Sequence, residues 1–226
     1  MSKIIFVTGT NTEVGKTYVS GLILKKLNEM GKKAAYFKMA MSGNNKVDSY
    51  IIPGDAKFVK DISNISQDIE DMCPYVYERA YSPHLAAKYE NRAVDMDVIE
   101  NAFNRLCMAY DYIVVEGSGG IICPIRWDEE KIMLIDFIKK FDLSTVIVSN
   151  SGLGTINGVY LTNHYLKNKN VNINGIIFNY YEKDNIIHDD NVKMCEELTG
   201  VKVIAKIKDG DTSLDSNVDV LEMFKR

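Results

Sequence analysis

Directly after the apolar run Ile4-Ile5-Phe6-Val7 the chain reads Gly9-Thr10-Asn11-Thr12-Glu13-Val14-Gly15-Lys16-Thr17, and directly after that Val19, Leu22, Ile23 and Leu27 recur at helical spacing. A buried strand, a glycine-punctuated loop and a helix that opens on Lys-Thr are thereby laid down in one stretch. Such a loop turns successive backbone N–H groups towards an anion, with the positive end of the helix dipole behind them. In that geometry Lys16 reaches the outer phosphates of a nucleoside triphosphate, and the Thr17 hydroxyl faces Mg²⁺. Five residues separate Gly9 from Gly15, one more than in the general phosphate-binding loop, which marks a sub-family of that loop.

Strand-like and helix-like segments alternate along the rest of the chain. The apolar runs predict strands over Lys3–Thr8, Lys33–Lys38, Tyr112–Glu116, Thr145–Ser149, Ile173–Asn179 and Val201–Ile207. Helical spacing predicts helices over Lys16–Met30, Asp55–Ile62, Val98–Tyr110, Ile132–Phe141, Asn157–Lys167 and Asn191–Thr199. Ser82 and Pro83 read as a further helix start, Ser82 as N-cap and Pro83 at the first helical position. Continuous apolar strands such as Ile113-Val114-Val115 suit a sheet covered on both faces. The expected fold is α/β, a P-loop NTPase-like doubly wound, mostly parallel sheet flanked by helices, with ligands at the carboxyl ends of the strands. No repeat or linker interrupts the pattern, so residues 1–226 are expected to form a single domain.

Composition narrows the partners. A net charge of −4 lacks the basic excess of a nucleic-acid surface. The first apolar run is too short for a signal peptide or a membrane span, so a cytoplasmic protein is expected. Cys73, Cys107, Cys123 and Cys195 lie far apart with no C-x-x-C pair, which points to packing residues rather than a zinc site or disulfides. His84, His164 and His188 stand without a nucleophile signature.

Several strand ends carry chemistry. Lys38, in Phe37-Lys38-Met39-Ala40-Met41-Ser42-Gly43, stands beside the phosphate loop if the second strand neighbours the first; it is otherwise a surface lysine. Asp55, in Gly54-Asp55-Ala56, is a helix cap or a carboxylate for Mg²⁺. Glu116 ends a buried strand ahead of Gly117-Ser118-Gly119-Gly120, either as the second metal carboxylate or as part of a tight turn. Ser149 to Asn157 is a small, polar loop leading into a helix, and the Asn179 amide can both donate to and accept from an adenine edge.

Taken in order, the loop Thr10 to Thr17 with its longer spacing, Lys38 with Ser42-Gly43, Gly54-Asp55-Ala56, Ser82-Pro83-His84, Glu116 to Gly120, Leu153-Gly154-Thr155-Ile156-Asn157 and Gly175 to Asn179 resemble dethiobiotin synthetase. The resemblance covers most of the chain up to Asn179 and thins out afterwards. It implies ATP- and Mg²⁺-dependent joining of 7,8-diaminononanoate with CO₂ to give dethiobiotin, ADP and phosphate. Carried over, it makes Lys16 and Lys38 the stabilisers of the γ-phosphate and carbamate, with Thr12 and Ser42 positioning the diamine or carbamate. Thr17, Asp55 and Glu116 become the Mg²⁺ ligands. Asn11, Thr12, Glu13, Val14, Gly15, Lys16, Thr17, Tyr18, Glu116, Gly119 and Asn179 become the nucleotide contacts. The resemblance also implies a homodimer in which Gly154, Thr155, Ile156 and Asn157 of one subunit hold the acid tail of the substrate bound to the other.

Three positions depart from that family. Met39 replaces the proline after the strand-end lysine, Ser118 replaces an alanine, and Lys208 in Ala205-Lys206-Ile207-Lys208 replaces a proline whose backbone borders the adenine. The competing reading is a nucleotide-switch ATPase of the partitioning or septum-site type. Those proteins carry an extra lysine early in the loop, where this chain has Thr10 and Asn11.

Overall fold

The computed structural model describes residues 2–48 and 50–225. Six strands form the central sheet: β1 (Lys3–Gly9), β2 (Ala34–Lys38), β3 (Tyr112–Gly120), β4 (Ser144–Asn150), β5 (Ile173–Asn179) and β6 (Val203–Lys206). Their spatial order is β6-β5-β4-β1-β3-β2, and every neighbouring pair is parallel. Seven α-helices connect them: α1 (Lys16–Glu29), α2 (Gly54–Ser63), α3 (Pro83–Tyr89), α4 (Met96–Ala109), α5 (Leu134–Lys140), α6 (Thr155–Asn168) and α7 (Ile186–Thr199). The doubly wound expectation holds.

Alternation along the strands divides the core into two layers. Ile5, Val7, Tyr36, Val114 and Val146 pack with Leu22 and Ile23 of α1 on one face. Phe6, Phe37, Ile113, Val115 and Ile147 pack with Phe103 of α4 and Phe137 of α5 on the other. Each Leu or Ile removed from water in these layers contributes about 1.5–3 kcal/mol. The period of two has a consequence beyond stability, because Lys38 follows Tyr36 and Glu116 follows Val114 onto the α1 face. Both charged side chains therefore emerge on the side where α1 begins.

Several boundaries differ from expectation, each for a local reason. Ile132 does not start a helix: Lys131–Met133 pairs antiparallel with Pro124–Trp127, and α5 begins at Leu134. α7 begins five residues before Asn191, at Ile186, because the Asn185 side chain accepts from the Ile187 N–H; the exposed Ile186 and Ile187 carry no burial signal to predict it. Ser82 does precede Pro83 at the start of α3, but its side chain makes no capping bond. The segment after Glu116 is not a separate turn, since β3 runs on to Gly120, which pairs with Gly9. Asp55 is not a cap either: α2 is preceded by Pro53, and Asp55 lies in its first turn. Among the described residues no helix is long and apolar enough to cross a membrane.

Candidate functional site

The loop after β1 folds back over Gly9, where a β-carbon would stand 2.9 Å from both Asn11 O and Val14 Cγ2. It passes through a left-handed turn at Glu13 and reaches α1 through Gly15, whose φ of +88° favours glycine. Gly15 also lies under Asn179, since a β-carbon there would meet Asn179 Nδ2 at 2.0 Å. The loop is closed internally by the Lys16 ammonium, which donates to Asn11 O at 2.9 Å. Thr10 N–H donates to Val148 O at 3.0 Å, tying the loop to β4.

Next to the loop lies a chain of hydrogen-bonded side chains. Thr17 Oγ1 donates to Glu116 Oε1 at 2.8 Å, and Lys38 Nζ donates to the same oxygen at 2.7 Å. Lys38 Nζ also reaches Asp55 Oδ2 at 2.6 Å, while the Tyr36 hydroxyl donates to Glu116 Oε2 at 2.8 Å. Lys38 does not arrive there because β2 neighbours β1, since β3 lies between them. It arrives because Lys38 and Glu116 are cross-strand partners in the β2–β3 ladder.

Burial sets the electrostatics of this group. Glu116 is 1% exposed and Lys38 6% exposed. Burial alone depresses the Lys38 ammonium, but the adjacent Glu116 and Asp55 outweigh it and hold its pKa above the ordinary lysine value. Burial of Lys16 prevails over the pull of Glu116, and the neighbouring Lys38 adds to it, so that its pKa is lowered. The buried Tyr36 phenol beside Glu116 is pushed well above the usual tyrosine range, so it stays a donor.

A cavity of about 330 Å³ unites Lys16, Thr17, Lys38, Asp55, Glu116 and Gly119 with Thr12, Glu13, Gly15 and Ser42. A second cavity of about 580 Å³ adjoins it and shares Thr12, Glu13, Ser42, Ser118 and Gly119; Tyr81, Ile122 and Cys123 also line it. Thr12 and Ser42 thus stand where the two spaces meet, with Ser42 Oγ donating to Tyr81 O at 2.6 Å. Asn11, Val14 and Tyr18 belong to the loop and the first turn of α1 but do not line either cavity. Asn11 is an exposed loop residue and Val14 is buried beneath the loop. The Tyr18 hydroxyl donates to Asp211 O in the carboxyl-terminal segment.

Asn179 sits at the end of β5 against the loop. Its Nδ2 donates to Val14 O at 3.2 Å, while its Oδ1 is buried with no partner among the described residues. Ile207 N–H donates to Phe178 O, and Tyr181 N–H donates to Ile207 O, so the backbone that leads into Lys208 runs beside Asn179 whatever side chain follows.

Gly154 to Asn157 line neither cavity. The Thr155 hydroxyl is buried and bonded to Ser149 Oγ and to Asn150 O at the start of α6. Leu153, just ahead, is 84% exposed.

Among the described residues no group of three or more His, Cys, Asp or Glu side chains forms a metal cluster. Thr17, Asp55 and Glu116 instead offer an all-oxygen set, which suits Mg²⁺ because that ion keeps several waters and leans on substrate phosphates. Oxygens of Asp55 and Glu116 hold the ammonium of Lys38. Tyr36 was not foreseen from the sequence; the available signal was a polar-tipped aromatic two residues before Lys38, hence on the same strand face.

The family described as "AAA_26: AAA domain" matches residues 3–213. An "ATP-dependent dethiobiotin synthetase BioD" of Clostridium botulinum (strain Alaska E43 / Type E3) is 48% identical over 203 residues, which cover 90% of this chain and 89% of that protein. A protein of the same name from Brachyspira hyodysenteriae is 46% identical over 223 residues, 98% of this chain and 99% of its own length. Among solved structures, the MinC:MinD cell division protein complex of Aquifex aeolicus aligns with a TM-score of 0.55 at 16% identity, over 92% of this chain and 81% of the other. At that identity the likeness is one of fold alone.

Proposed function

The chain belongs to the family of ATP-dependent dethiobiotin synthetases, and on that premise we propose that it is itself such an enzyme, closing the cyclic urea of dethiobiotin from 7,8-diaminononanoate, CO₂ and ATP. The observation that carries the reading is the hydrogen-bonded chain of Thr17, Glu116, Lys38 and Asp55 opening onto the same cavity as Lys16. A lone phosphate loop needs no second buried lysine, whereas a reaction that builds negative charge on a carbamate beside a triphosphate does.

The assigned chemistry has three steps. One amine of the substrate, in its neutral form, adds to CO₂ and releases a proton to give a carbamate. A carbamate oxygen then attacks the γ-phosphoryl group, giving a carbamic-phosphoric anhydride and ADP. The neighbouring amine attacks the carbonyl carbon, loses its proton and expels phosphate as the ring closes. Lys16 and Lys38 offset the charge on the transferring phosphoryl group and the carbamate. Thr12 and Ser42, at the junction of the two cavities, orient the reacting end of the diamine, and the larger cavity accommodates its hydrocarbon chain.

The nucleotide rests on the backbone of Asn11 to Tyr18, with Gly119 opposite. The unpartnered Asn179 Oδ1 supports adenine binding, because a buried acceptor without a partner fits the exocyclic amine of that base. Thr17, Asp55 and Glu116 are the residues that hold Mg²⁺, whose charge when bound further neutralises the phosphates. The enzyme acts as one domain spanning residues 1–226 and as a cytoplasmic homodimer. The exposure of Leu153, Gly154 and Asn157 supports the service of Gly154 to Asn157 to a partner subunit.

Incubation with Mg-ATP, bicarbonate and 7,8-diaminononanoate tests the reading. Dethiobiotin and diamine-dependent ADP release are expected; ADP release indifferent to the diamine, with no dethiobiotin, would return the chain to the switch-ATPase reading.

A further inference from the structure

Glu116 has two carboxylate oxygens, and they face different worlds. Oε1 meets Thr17 and Lys38 at the cavity, whereas Oε2 is turned into the core and accepts from the Tyr36 hydroxyl at 2.8 Å. Tyr36 is fully buried, so its hydroxyl has no water to turn to. Its backbone is pinned as well. β2 is the edge strand of the sheet, and the backbone N–H and C=O of Tyr36 point to its free edge. There the buried Gln67 takes the place of a missing strand: Tyr36 N–H donates to Gln67 Oε1 at 2.7 Å, and Gln67 Nε2 donates to Tyr36 O at 2.9 Å. Two residues on, Lys38 N–H donates to Met72 O at 2.9 Å. The segment from Gln67 to Met72 therefore clamps β2 at the two residues whose side chains meet Glu116.

A carboxylate with both oxygens free binds a divalent cation through one oxygen or through two. Two-oxygen binding suits the large, loosely coordinated Ca²⁺, while Mg²⁺ demands a compact octahedron. We propose that Tyr36, held in place by Gln67, is a positioning residue that occupies Oε2 and presents Glu116 to the metal–nucleotide site through Oε1 alone, so favouring a small cation. The proposal rests on the assignment of Glu116 as a metal ligand made above. It differs from a merely structural role for the hydroxyl, which would alter stability without altering the choice of ion.

Tyr36→Phe removes the hydroxyl and keeps the ring. Calorimetric titration of Mg²⁺ and of Ca²⁺ into the protein saturated with ADP reads the outcome, with melting and circular dichroism checking the fold. Loss of an outer hydrogen bond to a ligand weakens metal binding about tenfold or more, and here the loss is expected for Mg²⁺ while Ca²⁺ binding is retained or improved. A folded Tyr36→Phe protein with an unchanged ratio of the two affinities overturns the proposal. If the variant does not fold, the parent decides: in protein labelled at tyrosine ¹³Cζ and sequentially assigned, the Tyr36 signal must move when Mg²⁺ joins ADP, and a stationary signal overturns the proposal. A parent protein that gains no Mg²⁺ site with ADP overturns the underlying metal assignment, and this inference with it.

Discussion

Replacing Lys38 by methionine removes one charge and little volume from the centre of the site, and the structure sets the size of the response. The ammonium has two partners of unequal value. The Asp55 side chain is 40% exposed, so that half of the interaction is screened and contributes at most about 1 kcal/mol. The Glu116 side chain is 0% exposed, and stripping a buried carboxylate of its cation costs about 3–5 kcal/mol. Thr17 and Tyr36 still donate to it, which places the expected loss near the lower end, at about 3 kcal/mol. For a chain of this length that lowers Tm by roughly 6–12 °C. Adding Glu116→Gln removes the orphaned charge and returns most of that loss. Turnover, by contrast, stays down by about a hundredfold or more in both proteins, because the cation facing the phosphoryl group is still missing.

The sign of the pH dependence follows from the raised pKa of Lys38. Its pairing stabilises the folded state in full below the unfolded value of 10.5 and is lost as pH rises past that value and through the higher folded one. The gap in Tm between parent and Lys38→Met is therefore constant from neutral pH to about 9.5 and narrows in stronger alkali. Scanning calorimetry of the parent, both single variants and the double variant, with steady-state assays alongside, measures all of this. A Lys38→Met protein melting within about 2 °C of the parent, or a double variant no more stable than the single, would refute the coupling argument. Turnover within about threefold of the parent, less than 1 kcal/mol of barrier, would refute the catalytic one.

Two further outcomes are expected. Asn179→Ala removes the acceptor assigned to adenine together with the Nδ2 tether to Val14 O, and is expected to weaken ADP binding by about ten- to a hundredfold and to bring ADP and GDP affinities together; calorimetric titration of both nucleotides checks it. Lys16, whose pKa burial lowers, is expected to take up protons when an anionic nucleotide binds at about pH 9.5, seen as buffer-dependent binding enthalpy; equal enthalpies in buffers of different ionisation heat would count against it.

The phosphate loop was legible because everything it needs is local. Gly9, Gly15, Lys16 and Thr17 sit within one strand–loop–helix unit, and the anion site is a property of that unit's own backbone. The oxygen and nitrogen donors at strand ends were legible as candidates for the same reason. Where α7 and α5 begin was not legible, because Ile186 and Ile187 are exposed and carry no burial signal, while Ile132 belongs to a strand that pairs antiparallel with Pro124–Trp127. Tyr36 escaped notice because an aromatic residue in an apolar strand reads as core, which it also is.

From the chain alone came the alternating architecture, the loop and the parity that puts Tyr36 with Lys38 on one strand face; periods and turn residues are encoded within a few positions of each other. The tertiary structure decided the rest. It inserted β3 between β1 and β2, making Lys38 and Glu116 partners across 78 positions of sequence, and brought Asn179 to within 3.2 Å of a carbonyl 165 positions away. It also left Gly154 to Asn157 outside the cavities of their own chain. Strand order and ladder register arise from contacts between distant segments, and no period along the chain records which strands will lie side by side.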